Sequence, residues 1–175
     1  MDKILELFIK NPEKDFHIRQ VSKLIKKSPS TISKYLRKLE KEGVLISKRK
    51  LNHFLFKANS ENKKFRLLKL NYNFNVLNDS GFIEYLIKEF NYPKAIVLFG
   101  SFSKAEDIPS SDIDLMIVSP LKKEVELEKF EKKLNHEIHL LVYSEKKIKE
   151  MCKTNKELLN NMINGIVIYG LLEVC

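Results

Sequence analysis

The chain has 175 residues, a length that suits one medium domain or two small ones, and its 43% hydrophobic content excludes a disordered polymer. Its net charge of +9 is held unevenly: residues 1–80 carry 19 Lys and Arg against 8 Asp and Glu, a balance of +11, and residues 81–175 carry 13 against 15, a balance of −2. That asymmetry predicts a nucleic-acid module joined to something else, because a uniformly lysine-rich surface would not leave the second half slightly acidic.

Residues 2–10 read as a first helix, with Ile4, Leu5, Phe8 and Ile9 on one side. Asn11-Pro12 ends it, since the residue before proline resists helical geometry. A second helix is expected from about His17 to Lys26, with Ile18, Val21, Leu24 and Ile25 apolar. Ser28 then caps a third helix, and Pro29 fits its first turn. Ile32, Leu36 and Leu39 face inward, and Gly43 closes the helix. The turn between helices two and three is short enough for a helix-turn-helix crossing.

The third helix presents Ser30, Thr31, Lys34, Arg37 and Lys38. Small hydroxyls at a helix start reach base edges, and cations along its flank reach phosphates. Next come Val44-Leu45-Ile46, the basic run Ser47 to Lys50 with Arg49 inside it, and Phe54-Leu55-Phe56. This reads as two short strands around a basic turn. The run from Ser28 to Gly43 resembles the recognition helix of winged-helix transcriptional regulators such as the MarR and ArsR groups. The resemblance covers residues 3–58 and implies binding of double-stranded DNA through Ser30, Thr31, Lys34, Arg37, Lys38 and Arg49. A charged helix serving protein contacts is the alternative.

Residues 59–80 are expected to form a connecting helix, with Phe65, Leu68, Tyr72 and Leu77 as its stripe. Four asparagines between 71 and 78 predict that it frays there. The second domain is assigned to residues 81–175. Phe82–Asn91 reads as a helix stopped by Tyr92-Pro93, and the apolar run from Ala95 to Phe99 as a buried strand. Gly100-Ser101 follows at once. A strand that ends in Gly-Ser and turns into a helix gathers free N–H groups and a hydroxyl, which suits a phosphate.

After ten residues, the last of them Ser111, comes Asp112-Ile113-Asp114 and a second apolar strand to Val118. Alternation along a strand points Asp112 and Asp114 the same way. Two such carboxylates repel one another unless a cation lies between them. Oxygen ligands select hard ions, so Mg2+ or Mn2+ is expected. Lys122–Asn135 reads as a charged amphipathic helix, and Glu137–Tyr143 as a later strand. Ser144 caps a helix to about Lys153, Lys156–Asn164 forms another, and residues 165–170 form a short strand or plug.

Gly-Ser, ten residues and Asp-x-Asp together resemble the signature of polymerase-beta-like nucleotidyltransferases, in particular the minimal branch, over residues 82–170. The resemblance implies a nucleotidyltransferase fold with a mixed sheet flanked by helices. The fold class is therefore α+β, an N-terminal winged helix-turn-helix followed by that domain. It implies a triphosphate held by Gly100, Ser101, Lys104 and Ser111, with Asp112 and Asp114 as metal ligands. Related chains often follow the Lys104 position with glycine. Here Ala105 disfavours positive φ, so the loop is expected to run differently. A third acid is expected on the later strand, where His139 aligns nearest and Glu137 stands one pleat earlier. Glu137 is the working assignment beside Asp112 and Asp114.

Two functions follow. One is a DNA-binding protein that transfers a nucleoside monophosphate from a nucleoside triphosphate to an acceptor hydroxyl, with the winged helix delivering the substrate where that substrate is a nucleic acid. The alternative is a winged-helix transcriptional regulator whose degenerate domain binds or senses nucleotides without turnover. By analogy with regulators and minimal transferases, a homodimer or a HEPN-type protein partner is expected. No apolar run approaches the roughly 18 residues a membrane span needs. The charged start at Asp2 and Lys3 lacks a signal-peptide core. A cytoplasmic protein without membrane contact is expected. Cys152 and Cys175 stand in no CxxC or Cys/His cluster, which argues against structural zinc.

Overall fold

The computed structural model describes residues 2–50 and 53–173. Cys175 lies outside them. Contacts divide the chain into two units, Met1–Tyr72 and Asn73–Cys175.

In the first unit, α1 (Lys3–Lys10) opens on Asp2, whose carboxylate accepts from the Ile4 N–H at 2.8 Å. A two-residue strand, β1 (Phe16–His17), precedes α2 (Ile18–Ile25). The second helix thus starts one residue later than expected, because His17 is paired with Leu55. Then α3 (Pro29–Lys41) begins at Ser28, whose Oγ accepts from the Thr31 N–H at 3.3 Å. Gly43 takes φ +75°, the left-handed turn that stops the helix.

Strands β2 (Leu45–Lys50) and β3 (His53–Ala58) form an antiparallel hairpin, and the sheet order is β1-β3-β2. Ser47 to Lys50 were expected in the turn of this wing. They instead lie in β2, each paired across to β3, and the connection falls at positions 51 and 52, outside the described residues. The unit closes on Phe8, Phe16, Val21, Ile32, Leu36 and Phe56, all at most 1% exposed. Burying each such side chain contributes roughly 1.5–3 kcal/mol.

Helix α4 (Lys63–Asp79) is unbroken, where fraying was expected over residues 71–80. Phe65 completes the first unit's core, and Leu77 is buried in the second unit's core. Asparagine is a poor helix former, but Asn73 is itself 2% exposed and hydrogen-bonded inside the second unit. Tertiary bonds and packing override local propensity here.

The second unit continues through α5 (Phe82–Glu89), β4 (Ala95–Phe99), α6 (Gly100–Lys104), β5 (Ile113–Val118), α7 (Glu128–Leu134), β6 (Ile138–Tyr143), α8 (Glu145–Thr154), α9 (Lys156–Ile163) and β7 (Ile166–Gly170). The sheet order is β6-β5-β4-β7. β4 runs antiparallel to β5 and β7, and β5 runs parallel to β6. The mixed sheet flanked by helices matches the expected α+β fold.

Strand alternation sorts the core into two faces. Ile96, Leu98, Ile113, Leu115 and Ile117 share one cluster with Phe82 of α5 and Phe130 of α7. Ala95, Val97, Met116 and Val118 share the other with Ile148 of α8 and Met162 of α9. Both faces are covered, which explains why β4 and β5 read as continuous apolar runs.

Two further expectations are corrected. The helix expected at Lys122–Asn135 is only Glu128–Leu134, because Phe130 and Leu134 alone of its inward residues are fully buried. Ala105 does adopt a positive φ, 57°, despite its Cβ. That conformation costs about 1–2 kcal/mol in an L-residue. The loop keeps a left-handed turn without the glycine.

Candidate functional sites

The second unit's site sits where β4 ends beside the start of β5. Phe99 pairs with Asp114, so Gly100 emerges next to the Asp114 side chain. Gly100 takes φ +69°, and a Cβ placed there would lie 2.1 Å from Asp114 Oδ2. Glycine is required twice over, by the left-handed backbone and by the approach of a carboxylate. Ser101 follows, half-buried, in the first turn of α6. The Ser103 hydroxyl, buried one turn on, donates to the Gly100 carbonyl at 2.8 Å.

Asp112 stands just before β5, and Asp114 is its second residue. Their carboxylates reach the same imidazole. His139 Nδ1 lies 3.8 Å from Asp112 Oδ2 and 3.4 Å from Asp114 Oδ1. The parallel register sets His139 directly beside Asp114. Glu137 precedes β6 and shares the face of His139 by alternation. Ligand atoms of Asp112, Glu137 and His139 lie within 4.8 Å of one another. Both expected candidates for the third position therefore reach the site, Glu137 toward Asp112 and His139 toward both aspartates. Burial pushes the Asp114 carboxyl above its usual range, His139 pulls it back, and Asp112 pushes it up. The charged form is the disfavoured one, a bias that a bound cation reverses.

The loop into Asp112 is pinned from both sides. The Ser111 hydroxyl accepts from the Ile108 N–H at 2.9 Å, so this expected nucleotide contact is engaged in closing its own turn. His136 Nδ1 lies 2.7 Å from the Ser111 carbonyl, and its ring meets Phe102 edge-on. Asn73 donates to Asp107 Oδ1 at 2.7 Å and to the Phe102 carbonyl at 3.2 Å. Lys104 is exposed at the end of α6. An open cavity of about 630 Å3 is lined by Ser111, Asp112, His136 and Glu137, together with Glu128 and Glu131 of α7.

His136, Asn73 and the carboxylate–imidazole contact were not singled out in the sequence. Asn73 carries a direct test. Asn73→Ala removes two buried hydrogen bonds, so unfolding in urea is expected to reveal a loss of about 2–3 kcal/mol. A loss under roughly 0.5 kcal/mol, the size of an ordinary surface change, would show that the tether is not holding the loop.

The first unit offers a second surface. Ser30 and Thr31 are exposed at the start of α3, with hydroxyls 3.0 and 2.8 Å from Ser28 Oγ. Lys34, Lys38 and Arg49 are exposed, and Lys38 Nζ lies 4.0 Å from Glu42. Arg37 differs. Its guanidinium bonds Glu40 at 2.8 Å and stacks over Phe54 at 4.1 Å, joining α3 to the wing. Its charge is matched internally, so Lys34 is the cleaner probe of an anionic partner.

No helix among the described residues is long and apolar enough to cross a membrane. Residues 82–172 match the family described as polymerase beta, nucleotidyltransferase, and residues 3–46 match the winged helix-turn-helix DNA-binding family. Comparison with curated proteins gives no match. Among solved structures, a mutant of Lactococcus lactis ZitR is similar at 17% identity and a TM-score of 0.36, over 50% of this chain and 60% of that one. This chain thus spans less than two thirds of that protein, and so slight a likeness carries no argument.

Proposed function

The chain belongs to the polymerase beta nucleotidyltransferase family and carries a winged helix-turn-helix ahead of that domain, and from this we propose that it transfers a nucleoside monophosphate from a triphosphate to an acceptor hydroxyl while its first unit binds double-stranded DNA. The observation that carries the reading is that Asp112 and Asp114 reach one imidazole, with Glu137 beside Asp112, next to the point where β4 runs into Gly100-Ser101. A cytoplasmic setting, where triphosphates and DNA coexist, belongs to the same reading.

The donor set fits a divalent cation. Carboxylates converge, Gly100 leaves the space that Asp114 occupies, and burial, with Asp112 nearby, disfavours the charged form of Asp114. Asp112 and Asp114 would hold Mg2+ or Mn2+, with Glu137 as a third carboxylate. When bound, such an ion neutralises phosphate charge and lowers the pKa of a coordinated hydroxyl. The protein does the rest. The N–H groups and hydroxyl of the Gly100-Ser101 turn receive the terminal phosphates. Lys104 lies on the same short helix and adds positive charge near them. Ser111 and His136 fix the approach to Asp112, and the adjoining cavity gives the acceptor room.

The test is incubation of the full chain with α-labelled ATP, GTP, CTP or UTP and a divalent ion, with label followed into RNA, DNA, protein and small molecules. Covalent transfer is the expected outcome. One observation favours a second reading: His139, not a carboxylate, stands in register with Asp114. On that reading the chain is a winged-helix transcriptional regulator that senses nucleotides. Intact nucleotide binding with no transfer to any acceptor would select it.

DNA binding is checked separately. Each phosphate contact releases a counterion, so with about five contacts affinity is expected to fall roughly 10²–10³-fold between 50 and 200 mM salt. Lys34→Glu should weaken binding at least tenfold, about 1.4 kcal/mol, across all sequences. Salt-independent binding, or none to any duplex, would count against the role given to the first unit.

A further inference from the structure

We propose that His139 is itself a metal ligand, so that Asp112, Glu137 and His139 form a nitrogen-containing ion site that takes a first-row transition dication such as Mn2+ in preference to Mg2+. Among the described residues, these three form the one group of acidic, histidine or cysteine side chains close enough to share an ion. Their donors lie within 4.8 Å of one another, so rotations of these part-exposed and exposed side chains would bring them to the roughly 4.2 Å or less that metal bonds of about 2.1 Å allow. His139 is 57% exposed at its side chain, so no core packing explains why an imidazole stands there. It faces two carboxylates, and among the described residues no lysine or arginine forms an ion pair with either aspartate.

The chemistry separates two ions of equal charge. Magnesium demands oxygen ligands in near-ideal octahedral geometry and sheds water reluctantly. An imidazole nitrogen is a softer donor, and affinity for such mixed sites climbs along the first transition row from manganese. Two carboxylates with one imidazole thus forfeit part of what magnesium needs while adding a donor that transition ions favour. The alternative is no metal at all, with His139 held only by its contacts to Asp112 and Asp114.

The proposal rests on the reading of this site as a metal site, but it concerns ion binding alone. It is tested on the full chain without nucleotide or turnover, so its failure and the failure of transferase activity are distinguishable. Mn2+ is titrated in and followed by electron paramagnetic resonance, with Mg2+ as competitor. The expected result is a bound signal with ¹⁴N coupling, displaced only by Mg2+ in about tenfold or greater excess over its Mn2+ equivalent, about 1.4 kcal/mol of preference. His139→Asp should retain Mn2+, lose the ¹⁴N coupling and narrow the preference to about threefold or less, because an all-oxygen set suits both ions. His139→Gln, which removes the donor without adding charge, should also lose the coupling. Bound Mn2+ without ¹⁴N coupling, coupling that survives both substitutions, or equal competition by Mg2+ would each overturn the proposal. No Mn2+ binding at all would leave His139 as a contact of the two aspartates alone and overturn it equally.

Discussion

Asp112→Asn is expected to cut transfer of label from α-labelled nucleoside triphosphate by at least ~10³-fold, about 4 kcal/mol at the transition state. The substitution keeps the shape of the side chain and removes its charge. Asp112 is only half-buried, and its ion pair to His139 is a long one at 3.8 Å. Folding should therefore survive. The melting temperature should hold or rise slightly, since Asp112 is one of the groups that push the Asp114 carboxyl up. That pairing of outcomes is diagnostic. Lost transfer with unchanged melting places Asp112 in the chemistry. Lost transfer with lost folding says nothing about it, and retained transfer would remove Asp112 from the role proposed for it.

The parts of this site that could be read locally are those set by short-range geometry. Asp112 and Asp114 face one way because alternation along a strand requires it, and the apolar run of β4 ends at Phe99 because Gly100 cannot continue it. The missed parts depend on partners far along the chain. Asn73 looked like a helix breaker among other asparagines, and its partner Asp107 lies 34 residues away. Whether Glu137 or His139 occupied the third position turned on the register of β6 against β5, which neither strand encodes alone. Arg37 was chosen for its charge and position. Its neutralisation by Glu40 three residues on was legible, but the stacking on Phe54 needed the wing to fold back. At Ala105 the preference of one residue for negative φ lost to the closure of the surrounding loop.

Gly100→Ala is expected to disable the same site by a different route, and its cost can be resolved into two parts. The first is conformational: a Cβ at φ +69° costs about 1–2 kcal/mol. The second is steric, because that Cβ would stand 2.1 Å from Asp114 Oδ2 and 3.0 Å from its Cγ. Asp114 cannot retreat with its strand, which is paired to β4 on one side and β6 on the other. The carboxylate must rotate out of its place or β4 must shift, so a total loss of about 3–4 kcal/mol is expected together with loss of transfer. Gly81 supplies the control. It takes φ +76°, and a Cβ added to it would meet nothing within 4 Å, so Gly81→Ala should show the conformational cost alone. The excess for Gly100→Ala then measures the close approach. That excess should shrink by about 1 kcal/mol or more in an Asp114→Ala background, where the clashing oxygen is gone, and a double-mutant cycle in urea reads the difference. Additive losses at Gly100 and Asp114 would mean that the glycine is there for its backbone and not to make room for the carboxylate.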